Sequence, residues 1–309
     1  MNFEVIRLPI FLDIFKEHPI PSFGPSLRKR RRSFSFSPPF CYICDQMQKI
    51  KTFLKNAGLR ALRFLGIILV IYISMVFYLA LTERRNAFPR AIYHKEANEA
   101  IQNKAKPLTC TLEDGVVLNG FSLGNENAPV MLYFAEADED AAQFLAQIDS
   151  LPGFNVITFN YRGSAQNKGT PSEDNFMSDA RQIFECATQV NGNAPKILTG
   201  HGTGAIPAAE FMDNGRTLLL IDPILDIAES ISQKYRALYP KFLVRTGLKA
   251  DTDKLSRFSD NIYFLYDRKS SEEQTRNTAK ALAHRQDLYR NGEHLSTIIL
   301  QAINKNLSP

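Results

Sequence analysis

"KILTGHGTGAIPAAEF", residues 196–211, decides the fold. An apolar run stops at a cluster of glycines and restarts as an Ala-rich stretch of helical character. A buried strand that turns sharply into a helix has this form, because a pinched turn has no room for side chains. The same strand-turn-helix can present a nucleophilic serine at its apex. Residues 196–211 contain no serine.

Working outward, the chain from about Arg90 alternates β-rich and helical stretches, the pattern of an α/β domain with a largely parallel sheet. "LTCTLEDGVVLNGFSL" (108–123) reads as two alternating strands around the turn Asp114-Gly115. "PVMLYF" (129–134), "FNVITFNY" (154–161), "KILTG" (196–200), "TLLLI" (217–221) and "NIYFLY" (261–266) read as buried strands. Helices are placed at 141–150, 175–190, 205–214, 271–283 and 295–305.

Four stretches carry a resemblance. "LEDGVVLNGFSL" (112–123) is similar to an opening hairpin, and "VITFNYRGSAQNKGTPSE" (156–173) to a strand followed by Asn-Tyr-Arg-Gly and a Gly-x-Pro-Ser loop. "GHGTGA" (200–205) sits where Gly-His-Ser-x-Gly-Gly belongs, and "GEHL" (292–295) where a catalytic His follows the last strand. Together they resemble the α/β-hydrolase superfamily, nearest its membrane-anchored serine hydrolase and peptidase branch, over residues from about 108 to 304. The resemblance implies a mostly parallel sheet flanked by helices with a small lid, preceded here by one transmembrane helix. It also implies a serine nucleophile, a His base, an acid that orients the His, and two backbone N–H groups for the oxyanion.

Aligning Gly200 and Gly204 with the motif's two glycines puts Gly202 in the nucleophile position. Using Thr203 instead would put His201 and Ala205 where the turn wants glycines. Glycine adopts the strained conformation of such a turn without a Cβ penalty. His201, beside the turn, takes a packing role. After the strand "MLYF" the family has His-Gly leading into its oxyanion loop, whereas Ala135 and Glu136 stand here. Glu136, Asp138, Glu139 and Asp140 would oppose developing negative charge. The same acids read as the first turn of the next helix, suited to its dipole, or as a site for a hard cation such as calcium, without a recognised calcium-loop spacing.

The orienting acid is Asp267, slightly early after "NIYFLY", or Asp222, just after "TLLLI". His294 matches the family's base, or else caps the final helix. The candidate catalytic set is therefore His294, Asp222, Asp267 and Thr203, and the candidate pocket set is Ala135, Glu136, Gly200, His201, Gly202 and Thr203. Residues from about 222 to 260 fall where the family inserts its lid. Ile231, Tyr235, Leu238 and Leu243 are spaced for helices interrupted at Pro240, so two short helices are expected over the pocket.

Charge and hydropathy organise the rest. Residues 1–63 hold 12 Lys and Arg against 4 Asp and Glu, while residues 64–309 hold 25 against 28. The larger part is slightly acidic, so no basic groove for nucleic-acid phosphates is implied. "FLGIILVIYISMVFYLAL" (64–81) has no charge. At about 1.5 Å per residue it spans roughly 27 Å, close to the ~30 Å of a bilayer core. Basic residues at 49–63 favour a cytoplasmic N-terminus and an external or periplasmic domain. No cleavage site follows the run, so it reads as an uncleaved signal anchor.

Residues 1–46 show no periodicity and read as a disordered or non-native extension, with Met47 an alternative start; the basic run Arg28–Arg32 could touch anionic lipid. Residues 47–63 are a basic juxtamembrane segment, 82–107 a linker, and 108–309 the folded domain. Cys41 and Cys44 lack a second pair for zinc. Whether Cys110 and Cys186 join is left open.

These readings converge on a membrane-anchored α/β-hydrolase-like protein with a degenerate site and a binding or scaffolding role. Its partners are the bilayer and a small-molecule or protein ligand at the pocket or lid, with no cofactor, no metal and no nucleic acid. The alternative is an esterase or peptidase with a displaced nucleophile.

Overall fold

The computed structural model describes residues 40–148, 151–266, 286–289 and 294–307. Contacts divide the chain into two units, 1–64 and 65–309. In the first, the described residues are the beginning of α1 (Phe40–Ala87), where Lys49 pairs with Asp45 one turn away at 2.6 Å. Residues 40–46, read from sequence as unstructured, are thus helical, and residues 1–39 lie outside the described residues.

In the second unit the apolar run continues as α1, with residues 65–73 exposed. Among the described residues it is the one helix long and apolar enough to cross a membrane. Its last turns face inward. Leu79, Glu83, Ala87 and Phe88 recur at helical spacing and are buried. The segment 82–107, read as a linker, is instead built into the domain. It ends α1, forms α2 (Lys95–Ile101) and buries Ala91, Ala97 and Ile101. A linker reading failed because short helical turns with small apolar residues carry little signal in sequence.

Eight strands follow: β1 (Lys106–Thr111), β2 (Val117–Gly124), β3 (Val130–Phe134), β4 (Asn155–Phe159), β5 (Ile197–His201), β6 (Thr217–Ile221), β7 (Ile262–Tyr266) and β8 (Gln286–Tyr289). They form one sheet in the order β1-β2-β4-β3-β5-β6-β7-β8. β2 runs antiparallel to both neighbours, and the pairings from β4 through β8 are parallel. Every residue of β3 and β4 is buried, as parallel strands covered on both faces must be. The Asp114-Gly115 hairpin forms as read, with Gly115 at φ +81°.

Helices α3 (Ala141–Ile148), α4 (Glu173–Asn191), α5 (Ala205–Glu210), α6 (Ile227–Tyr235), α7 (Thr252–Ser256) and α8 (Leu295–Leu307) complete the unit. Ser172 and Asn175 cap α4 reciprocally, and Gly192 ends it in a left-handed conformation. The helix read at 271–283 lies outside the described residues.

Two fasteners hold these layers. Arg162 of the Asn-Tyr-Arg-Gly stretch is buried, grips both oxygens of the buried Asp179 of α4 at 2.6 Å and reaches Asp114 of the hairpin turn at 2.7 Å. The bonds to Asp179 hold its guanidinium charged, above its already high ordinary pKa. A disulfide joins Cys110 of β1 to Cys186 of α4 across 76 residues. Closing a loop of that length restricts the unfolded chain by about 4 kcal/mol.

The lid segment is simpler than its spacing suggests. It holds α6, two single 3-10 turns at Arg236–Leu238 and Lys241–Leu243, then α7. It is clasped to the end of α1 by Glu83, whose carboxylate accepts from the Tyr239 hydroxyl at 2.6 Å and from the Arg245 and Thr246 amides at 2.7 and 2.8 Å.

Candidate functional site

The glycine cluster stands at the carboxyl end of β5, where parallel sheets present ligands. Gly200 and Gly204 are fixed by close approach. A Cβ on Gly200 would lie 2.5 Å from Ala205 Cα, and one on Gly204 would strike the carbonyl oxygen of Phe134. The two glycines therefore define the turn, and Gly202 is its apex at φ +52°. Residues 202–204 form a 3-10 turn that runs straight into α5. The Gly202 carbonyl is held by the amide of Ile224 at 2.8 Å, in the stretch that follows β6.

The space beside the apex is occupied. A Cβ on Gly202 would fall 2.7 Å from Glu136 Cγ and Cδ and 2.8 Å from Glu136 Oε1. The carboxylate of Glu136 thus fills the place into which a side chain at 202 would project. Thr203 points elsewhere. It is buried, and its hydroxyl accepts from the Ala137 amide at 3.1 Å. The neighbouring amide, Glu136 N–H, donates to Glu139 Oε2 at 3.2 Å. The amides of Glu136 and Ala137, in the loop after β3, are thus both bonded to side chains of the protein.

Glu139 organises this end of the sheet. Its Oε2 accepts from the Tyr133 hydroxyl at 2.7 Å and bonds His201 Nδ1 at 2.8 Å, while His201 Nε2 stands 3.8 Å from Glu136 Oε2. Burial disfavours the charged imidazole. The bond to Glu139 and the charges of Glu139, Glu136 and Asp222 outweigh it, and the His201 pKa is raised. Burial, then Glu139, pushes the Tyr133 phenol well above its ordinary value. The carboxylates of Glu139 and Glu136 thus favour the protonated form of the His201 ring over what burial alone would allow.

A pH dependence follows with a definite sign. A His whose folded pKa exceeds its unfolded value of about 6.5 stabilises the fold fully below that value and loses the contribution as pH rises through the folded pKa. The denaturation midpoint of the natural chain should therefore fall between mildly acidic and mildly alkaline pH by more than that of His201→Gln. Parallel midpoints for the two proteins over that range would show that the pair contributes nothing.

Of the sequence-derived candidates, Ala135, Glu136, Gly200, His201, Gly202 and Thr203 are assembled at one end of β3 and β5. Ala135 accepts from the Tyr161 hydroxyl at 3.1 Å through its carbonyl. Asp222 follows β6 with φ +40°, bonds Leu265 through its amide, and its charge reaches His201. His294 is exposed just before α8, and its carbonyl accepts from Thr297 and Ile298. Asp267 lies outside the described residues. The register alternative that would make Thr203 the apex is corrected: the apex conformation belongs to Gly202.

The acidic loop divides by role. Asp140 is fully buried, caps α3 through the Ala142 amide and accepts from the His94 amide and Asn98 side chain of the α2 region. Sequence reasoning missed this anchor, Glu139 as the partner of His201, and Glu83. Their partners are 42 to 163 residues away, so no local spacing announces them. Among the described residues no group of His, Cys, Asp and Glu is placed to hold a metal ion.

Two small cavities flank the apex. One of about 200 Å³ is lined by Tyr133, Glu136, Glu139, Gln147, His201 and Leu295. The other, about 150 Å³, lies between Asn86 and Pro89 at the end of α1, Ala137 and Thr203, and Ile231 and Tyr235 of α6. Either would take a fragment of a few heavy atoms.

The strand order, the antiparallel second strand and the glycine turn after β5 define the α/β-hydrolase fold. The crystal structure of an alpha-beta hydrolase from Vibrio vulnificus superposes with a TM-score of 0.50 at 17% identity, over 71% of this chain and 96% of that one. In sequence, the chain is similar to lysophosphatidylserine lipase ABHD12: 31% identical over 129 residues to the Rattus norvegicus protein (38% of this chain, 32% of the relative) and 37% over 106 residues to that of Mus musculus (32% and 27%). It is also 33% identical over 92 residues to human Protein ABHD12B (28% and 25%). Each match spans only about a third or less of the relative's length. No family model matches the chain.

Proposed function

We propose that this chain is a membrane-anchored α/β-hydrolase-fold protein whose catalytic site is degenerate and whose role is binding or scaffolding. The observation that carries the reading is the Glu136 carboxylate seated where a side chain at Gly202 would stand. The two loop amides bonded to Thr203 and Glu139 support it. Removing the serine from a working triad costs on the order of 10⁶ in rate. A filled oxyanion loop lowers what remains.

The test is covalent. The natural chain should neither be labelled by fluorophosphonate probes nor hydrolyse short activated esters above background. Gly202→Ser alone should stay unlabelled and lose roughly 1–3 kcal/mol of stability, since the new side chain meets Glu136 and adopts a strained φ. Adding Glu136→Gly should recover part of that loss and raise labelling. Ester hydrolysis by the natural chain that disappears in Thr203→Ala or His294→Ala would instead establish the second reading, a lipid esterase or peptidase with a displaced nucleophile. The lysophosphatidylserine lipase activity for which the ABHD12 relatives are named favours that reading; the buried, already bonded Thr203 hydroxyl weighs against it.

The apolar span and the Cys110–Cys186 bond also support an orientation with the N-terminus cytoplasmic and the domain outside, since disulfides persist in oxidising compartments. Protease added to intact cells should therefore digest the domain, and Cys110 and Cys186 should resist alkylation until reduced. A protected domain with freely alkylated thiols would reverse the topology.

A further inference from the structure

A third cavity, larger than the two beside the apex, has no part in the site above. It holds about 820 Å³ at the end of α1, and its lining includes Leu81, Arg84, Arg85, Arg90, Ile92 and Thr170. No Asp or Glu lines it. The nearest acid in sequence, Glu83, is turned into the domain and accepts three hydrogen bonds there. The arginines are partly preset: Arg84 Nε donates to the Pro171 carbonyl at 3.0 Å and Arg90 Nη2 to the Thr170 hydroxyl at 3.3 Å. All three are exposed, and Arg85 makes no hydrogen bond or ion pair among the described residues.

Two large apolar side chains stand out near the end of α1. Ile92, in its lining, is 85% exposed, and Phe242 is 83% exposed in the turn between Tyr239 and Arg245, both of which touch Glu83. Isolated exposed apolar residues are ordinary. Here Ile92 stands in the lining with a cluster of cations that begins within one helical turn of the last residue of the apolar run, and the turn that carries Phe242 is tied through Glu83 to the same end of α1. A surface that pairs cations at phosphate height with apolar side chains that can enter the acyl boundary is complementary to a phospholipid leaflet.

We propose that this face, carrying Arg84, Arg85, Arg90, Ile92 and Phe242, docks on the phospholipid leaflet on the domain's own side of the bilayer, with the arginines on headgroup phosphates and the two apolar side chains in the interface. The anchor would then be more than a tether, because the domain would rest on the bilayer that α1 crosses. The inference rests on the membrane-anchored reading.

The chain contains no tryptophan, which makes single-tryptophan variants clean probes. Tyr72→Trp within the span, Ile92→Trp, Phe242→Trp and Val117→Trp on the edge hairpin would each be made in the full chain. They would be reconstituted in vesicles of phosphatidylcholine and phosphatidylserine bearing brominated acyl chains. Emission from Tyr72→Trp, Ile92→Trp and Phe242→Trp should be quenched and that from Val117→Trp should not. Arg85→Gln with Arg90→Gln, or vesicles of phosphatidylcholine alone, should lower the quenching of Ile92→Trp by at least about twofold. Quenching of Tyr72→Trp without Ile92→Trp or Phe242→Trp would overturn the docking face and leave the anchor standing. An unquenched Tyr72→Trp would overturn the anchor and the docking face together. Quenching of Ile92→Trp indifferent to both anionic lipid and arginine would overturn the role given to charge.

Discussion

Glu83→Ala should remove about 2–4 kcal/mol of stability from the domain, the cost of stripping a buried carboxylate from a hydroxyl and an amide that are themselves buried. Glu83 is 6% exposed and satisfies one hydroxyl and two amides of the lid segment. Alanine leaves the Thr246 amide and the Tyr239 hydroxyl without that acceptor inside the protein. Glu83→Gln keeps an oxygen for the amides and should cost less than half as much. The effect should be seen as a lowered denaturation midpoint in detergent and as early proteolysis within 236–247. An Ala variant as stable as the natural chain would mean that the lid does not depend on α1. By the same reasoning, a chain beginning at Arg90 should not fold stably, since it lacks Leu79, Glu83, Ala87 and Phe88. A soluble domain has to start upstream of Leu79.

Asp179→Ala should cost a comparable 3–5 kcal/mol, because it leaves a buried guanidinium with half its partners gone. Asp114, which remains, is half-exposed and grips only one nitrogen of Arg162. Replacing both partners, as Arg162→Met with Asp179→Leu, should restore most of the loss, since an apolar pair of similar volume needs no counter-ion. Denaturant midpoints of the three proteins decide the matter. A single variant that costs less than about 1 kcal/mol would place the pair among ordinary surface bridges.

The fold was legible in sequence where a local rule is strict. The buried strands appear as short apolar runs, and the Asp114-Gly115 hairpin announces itself by a turn that only certain residues adopt. Gly200 and Gly204 could be aligned because backbone contacts allow nothing larger there. The apex followed from that alignment. Legibility failed where partners are distant in sequence. β8 is four residues in a polar stretch, recognisable only through its pairing with β7. The acidic loop after β3 reads as a charge cluster, yet one carboxylate seats an imidazole, another caps a helix, and a third fills the space at Gly202. Those roles exist only after β3 and β5 come side by side. The disulfide is of the same kind, since two cysteines 76 residues apart carry no information about each other until the sheet forms.

The contact between Glu136 and Gly202 also has a meaning for ancestry. On the proposed reading, a return to acyl transfer has no single-step route. A serine acquired at 202 collides with the carboxylate already there, and loss of Glu136 alone yields no nucleophile while taking a negative neighbour from His201. On that reading the contact couples the two positions, so that a side chain at 202 needs Glu136 to swing aside or change with it.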